Sequence, residues 1–360
     1  MTQANRALVR FGLLRLADSA PVVVAERRGL FRELGLRVEL SVEPSWANIA
    51  DKLAYGLLDA ASMLPPLALA AALGLRGPPG RLLVPMGLSG GGNTVTLGRA
   101  AARAVLDTPE PLDALAAGRR FGSWLRGQPT PPRFAVVHAF STHSLLLRYW
   151  LAASGVDPDR DISSVVVPPE QVEPALAAGD IAGFCAGAPW GELAAQNGSG
   201  QVLLGTSAIW RNHPEKCLAV AAPWALADPA RLEALLRGLL QAQRLCEEPA
   251  AGSWVAPLLA ESPLGLPLAA SRACLPGGTA TEHIRFHAGA AWFPWYSHAA
   301  WFLKQMRRWG WLPTDMDLER ATRAVYRPDL LAPAAAMEGL DWPSGDAERH
   351  ERFCDSPDFD

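Results

Sequence analysis

The chain has 360 residues, 49% apolar and 19% charged, enough to bury sizeable cores and long enough to suit two domains rather than one. With 33 basic against 36 acidic side chains, its net charge of −3 offers no broad surface for nucleic acid or an anionic membrane. Five widely spaced cysteines, odd in number and without a C-x-x-C pair, exclude a disulfide framework or a zinc site of the usual spacing.

In chain order, 8–14 and 36–42 read as short strands. A helix over 21–34 between them ends at Gly35, where a left-handed cap is expected. Ser45 is placed to cap a second helix with Ile49, Leu53 and Leu57 on one side, after which 59–63 reads as a buried strand ending at Pro65-Pro66. The same grammar of helix end, glycine, strand and proline recurs over 174–189, which predicts one such unit in each of two α/β lobes. From Asp228-Pro229 the chain turns helical to about Leu312, beginning with an apolar stripe of Leu232, Leu235, Leu236, Leu239 and Leu240. From about Asp341 it is acidic, rich in Pro, Gly and Asp, and reads as a loose tail. The longest apolar run, 64–75, is interrupted by two prolines and is far short of the roughly 20 residues a bilayer needs, so no membrane insertion is expected. The first twenty residues lack the basic region, apolar core and cleavage site of an export signal, which sets a cytoplasmic location as the expectation.

The chemistry points to a buried anion. G-x-S-x-G, H-E-x-x-H and G-x-G-x-x-G are all absent, so a binding protein without cofactor or catalytic residues is expected rather than an enzyme. Trp46 falls in the first turn of the helix after Ser45, where free N–H groups and the helix dipole favour an anion that could stack on the indole; a core aromatic is the other reading. His143 falls in the first turn of a helix capped by Ser141 or Thr142, a position that lowers an imidazole pKa and makes the ring a neutral donor, although a satisfied surface histidine fits equally. Asn93 follows three glycines that permit close backbone approach, and Lys216 precedes a strand where its charge can enter a cleft. Trp190 is a further cleft-lining candidate, whereas core packing accounts better for His298.

The stretches DSAPVVVAERRGLFRELGLRVEL, EPSWANIADKLAYGLLDAASMLPPLALA, FSTHSLLLRYWLAASG, AGAPW, HPEKCLAV and SHAAWFLKQMRRWGW together resemble the nitrate- and bicarbonate-binding NrtA/CmpA family and its cytoplasmic NasS-type nitrate/nitrite sensors. The resemblance implies a type II periplasmic-binding-protein fold of two α/β lobes with a helical C-terminal part. The lobes are expected over 1–98 plus 205–340 and over 99–204, with 341–360 as the tail. It also implies an interlobe anion site at Trp46, Asn93, His143 and Lys216, with asparagine where the family has glutamine. A lysine at 216, with no acidic cluster in view, favours nitrate or nitrite over bicarbonate. The lack of an export signal favours a sensor that holds an RNA-binding antiterminator of NasT type and makes no direct contact with nucleic acid. The substrate-binding component of an importer is the alternative.

Overall fold

The computed structural model describes residues 6–75, 77, 79–107, 112–343 and 347–355. Eleven strands form two sheets: β1 Ala7–Leu13, β2 Leu36–Val42, β3 Ala60–Met63, β4 Leu82–Gly91, β5 Asn93–Gly98, β6 Arg133–Val136, β7 Ser163–Val166, β8 Gly183–Gly187, β9 Gly200–Gly205, β10 Pro214–Ala221 and β11 Ile284–Arg285. The first sheet has the order β11-β4-β10-β3-β1-β2, and the second β7-β6-β8-β5-β9. In the first, β1 runs parallel to β2 and β3, while β10 is antiparallel to β3 and β4. In the second, β6 is parallel to β7 and β8, and β5 is antiparallel to β8 and β9. This is the expected mixed α/β architecture of two layered lobes.

Local sequence explains the elements that frame the space between the lobes. Ser45 is extended, and its Oγ accepts from Asn48 N at 3.2 Å, starting helix Trp46–Ala54 directly after β2. Ser141 does the same for helix Thr142–Ala153, accepting from Ser144 N at 2.9 Å. The helix expected over 21–34 is broken into Ala20–Arg27 and Leu30–Glu33 because Gly29 adopts a φ of +77°. Pro65-Pro66 ends β3 as expected but also opens helix Pro65–Ala72, since proline is well suited to a first helical turn. The C-terminal half is helical beyond the expected limit, through Leu318–Val325 and Pro328–Met337.

The chain crosses between sheets twice. The first crossing is at Gly92, six residues before the boundary expected after residue 98, because Asn93–Gly98 pairs with β8 and β9 rather than with β4. The return runs from β9 through a turn at Thr206–Ala208 into β10. Glu282 fastens both crossings, accepting from Gly92 N at 3.1 Å and from Ser207 Oγ at 2.5 Å. Gly92 has a φ of +80°, and a Cβ there would lie 2.5 Å from Ile284 Cγ1.

The tail departs from expectation. Residues 344–346 and 356–360 lie outside the described residues, but Phe353 stacks on Trp210 and Trp301 at centroid distances of 5.1 and 5.7 Å. Tyr149 Oη donates to Asp355 at 2.7 Å. An aromatic side chain that can bury its ring overrides the polar composition around it. Four of the five cysteines are buried, and all are free thiols. Among the described residues no helix is long and apolar enough to cross a membrane.

Gly92→Ala is expected to lose about 1–3 kcal/mol of stability from a strained left-handed backbone and the clash with Ile284, read as a lower urea midpoint at unchanged m-value.

Candidate functional site

Trp46, Asn93, His143 and Lys216 meet where the carboxyl ends of β1, β2, β6 and β8 face each other, the side of an α/β sheet at which ligands are held. All four are at most 1% exposed. Lys216 Nζ lies 5.3 Å from the centre of the Trp46 ring, a cation–π distance. A Cβ built on Gly187, at the end of β8, would stand 3.4 Å from Asn93 Oδ1 and 3.6 Å from His143 Nε2, so this glycine leaves the space that both side chains face. Trp190 is also buried, at the first position of helix Trp190–Gln196, and among the described residues its Nε1–H has no hydrogen-bond partner, so no hydrogen bond of its indole joins it to the other four. His298 packs edge-on against Trp210 and lies 3.3 Å from Glu351, away from this cluster, in line with a packing role.

Two carboxylates complete the site, Asp18 and Glu215, and neither was singled out from sequence. Lys216 Nζ is 2.8 Å from Asp18 Oδ2 and 2.5 Å from Glu215 Oε1. Asn93 Nδ2 donates to Glu215 Oε2 in a short hydrogen bond, and His143 Nε2 lies 3.2 Å from Glu215 Oε1 without the alignment of one. No acidic cluster is in view in the sequence, but the structure brings these two carboxylates to Lys216. Alternation along a strand should send residues 215 and 216 to opposite faces. Between Pro214 and Cys217, however, the register of β10 against β4 shifts twice, as Lys216 pairs with Ser89 and Cys217 with Gly87, and the bulge turns both side chains into one space. Among the described residues no group of three or more His, Cys, Asp or Glu side chains is arranged to hold a metal ion.

Burial and charge set the protonation states. Burial, then the nearby Lys216 and His213, holds His143 well below the usual imidazole range, so it is neutral as expected, though desolvation rather than a helix dipole is the main cause. Burial pulls the Lys216 ammonium down, but Asp18 and Glu215 more than offset it and leave it charged. Burial raises Asp18 against the pull of Lys216. Burial pushes Glu215 up to about 7, although Lys216 and Asn93 oppose the shift. Several polar atoms here remain buried without partners: Asp18 Oδ1, Trp46 Nε1, Asn93 Oδ1 and both His143 ring nitrogens. Unsatisfied buried donors and acceptors at this density mark a place built to receive something polar.

Fold and site together define a two-lobed ligand-binding protein of the periplasmic-binding-protein type, with its polar groups gathered between the lobes. The chain belongs to the NMT1-like family, whose model matches residues 2–260. It is similar to the nitrate/nitrite binding protein NrtA of Synechococcus elongatus, 31% identical over 98% of this chain and 83% of that protein. It is also 33% identical to the nitrate import ATP-binding protein NrtC of Synechocystis, over 94% of this chain but 51% of the relative, so the chain spans about half the length of that protein. The crystal structure of the periplasmic nitrate-binding protein NrtA from Synechocystis matches with a TM-score of 0.89 at 27% identity, covering 99% of this chain and 96% of that one. The alkanesulfonate-binding protein SsuA of Xanthomonas axonopodis shares the fold, with a TM-score of 0.58 at 20% identity over 92% of this chain and 98% of that one.

Lys216→Met leaves two buried carboxylates without a cation and is expected to cost about 3–5 kcal/mol in urea unfolding. A second outcome concerns pH. A carboxyl raised in the folded state holds its proton there after the unfolded chain has released it, so stability falls as pH rises from the ordinary carboxyl range through about 7. The buried histidines, with lowered values, act with the opposite sign, so the difference between proteins is what is read. Glu215→Gln is expected to gain stability relative to the parent as pH rises from 4.5 to 7, and to hold that gain above 7.

Proposed function

We propose that this protein binds nitrate or nitrite between its lobes and does no chemistry on it. The observation that carries the reading is the convergence of Lys216 Nζ, Asn93 Nδ2 and His143 Nε2 on the two oxygens of one carboxylate. A carboxylate is a planar monoanion with a forked pair of oxygens, and nitrite and nitrate present the same fork at similar size. The indole of Trp46, stacked on the ammonium, gives a flat anion a flat wall. The relatives named for nitrate and nitrite support the choice among oxyanions. Against an enzyme, the nearby thiols of Cys185 and Cys217 are pushed up by burial, away from a reactive thiolate.

The relatives' names are those of import and binding components, which moves the reading from the sensor expected above toward the substrate-binding part of an importer. A cytoplasmic sensor that releases an RNA-binding antiterminator is a second proposal, resting on the sequence resemblance. Cell fractionation and pull-down separate the two: an importer component is recovered outside the cytoplasm, whereas a sensor retains a regulator that millimolar nitrate or nitrite dissociates.

Calorimetric titration with nitrate, nitrite, bicarbonate and a sulfonate is expected to give binding by the first two. Trp46→Ala is expected to weaken it at least tenfold, about 1.4 kcal/mol. Unchanged affinity in that variant removes the cleft assignment, and binding of neither nitrogen oxyanion removes the ligand.

A further inference from the structure

We propose that Glu215 is a built-in competitor for the anion site and that each nitrate or nitrite bound brings one proton with it, taken up from solvent by Glu215; this rests on the binding function proposed above. The geometry carries the inference. The Glu215 carboxylate sits on the donors an incoming anion needs: the Lys216 ammonium at 2.5 Å, the Asn93 amide and His143 Nε2 at 3.2 Å. It is 1% exposed and shares Lys216 with Asp18, which stands 2.8 Å from the ammonium on the other side. Two carboxylates therefore face one cation. His143, a second basic side chain against the carboxylate, is held neutral.

Charge balance then decides what binding requires. With Asp18 and Glu215 ionised, Lys216 charged and His143 neutral, the buried cluster already carries one excess negative charge. A second monoanion in the same space would raise that to two, and an unpaired charge in a buried site costs several kcal/mol. Helix Trp46–Ala54 and helix Thr142–Ala153 present their N-termini here, but their dipoles amount to about half a charge each. If Glu215 accepts a proton as the anion enters, the charge of the cluster does not change. The protonated carboxyl gives up its ion pair with Lys216, and the ammonium and the Asn93 amide turn to the incoming oxygens. No bond other than O–H is made, and the proton comes from water or buffer.

Among the described residues, the ionisable and polar groups that face Glu215 come from five places in the fold. From its own strand and the loop before it come Lys216, His213 and Cys217; the turn Ala17–Ser19 brings Asp18, β5 brings Asn93, the helix after β6 brings His143 and β8 brings Cys185. His213 is lowered to about 3, chiefly by burial, and its Nε2 is engaged with Thr206 Oγ1 at 2.8 Å. β3, β4 and helix Pro65–Ala72, which flank β10, contain no ionisable residue at all. Asp18, raised by burial and drawn down by Lys216, is the second counter-ion of the ammonium. Glu215, poised at about 7, changes charge within the physiological range.

The test is calorimetric titration of the intact protein with sodium nitrate and sodium nitrite between pH 5.5 and 8.5. Each pH is run in two buffers of different ionisation enthalpy, so that the difference in heat counts the protons taken up. The expected result is close to one proton per anion at pH 8, falling toward zero below pH 6. Affinity is expected to weaken about tenfold per pH unit above 7. Glu215→Gln is expected to bind with an affinity independent of pH and with no proton uptake. Nitrate or nitrite binding by the parent protein with no proton uptake at pH 8 overturns this inference and leaves the binding function standing. Binding of neither anion at any pH overturns the binding function itself. Should the variant fail to fold, the proton count of the parent protein decides alone.

Discussion

A lysine ammonium with none of its surface in water is the constraint around which this molecule is arranged. Such a charge is tolerated only with close counter-charges and donors or acceptors for its protons. Asp18 from the turn Ala17–Ser19 and Glu215 from its own strand meet that need, and the Trp46 ring lies against the ammonium. Once those partners are present, the same cluster still holds donors and acceptors that do not meet, and atoms of Asp18, Trp46, Asn93 and His143 are left without hydrogen bonds. The site is therefore electrostatically tight and incomplete at the same time.

The cluster draws on both lobes, so it depends on how the two chain crossings are held. Asn93 is the first residue after the crossing at Gly92, and its carbonyl accepts from Thr206 Oγ1 at 3.3 Å on the returning segment. Thr206 in turn meets His213, and His213 immediately precedes the bulge that delivers Glu215 and Lys216. Glu282 ties Gly92 to Ser207 from outside. Direct contacts across the lobes, Ala17 N to Ala188 O at 3.0 Å and Thr142 Oγ1 to Pro214 O at 3.4 Å, lie beside the site rather than far from it. A ligand reaching the cluster would thus touch the groups that hold the two crossings together.

The C-terminal segment adds a further tie. Its Phe353 lies in a cluster of aromatic rings with Trp210, next to the returning crossing, and Asp355 receives a hydrogen bond from Tyr149 of the second lobe. Glu351 pairs with Arg349 at 2.6 Å and lies beside His298. A stretch whose composition suggests a solvated tail thus packs beside the returning crossing, because one ring and one carboxylate find partners there that the local sequence does not display.

Much of the fold could be read from residue patterns. The strand at 36–42, the Ser45 and Ser141 caps, the helix from Pro229 and the repeated strand-proline unit follow from periodicity and capping chemistry, which are local and short-ranged. The four side chains of the cluster were reachable in the same way, since helix N-termini, a glycine run and a lysine next to an apolar run each announce themselves, although Lys216 lies within β10 rather than before it. Sequence alone could not place the first crossing at Gly92, because only pairing with β8 and β9 decides which sheet owns residues 93–98. Nor could it find Glu215. Alternation assigns residue 215 to the face opposite Lys216, and only the double register shift against β4 brings both to one side. Bulges, crossings and shared counter-ions are properties of two or more distant segments at once, so tertiary structure alone decided that the lysine found first is half of a buried acid pair's environment and not a free cation.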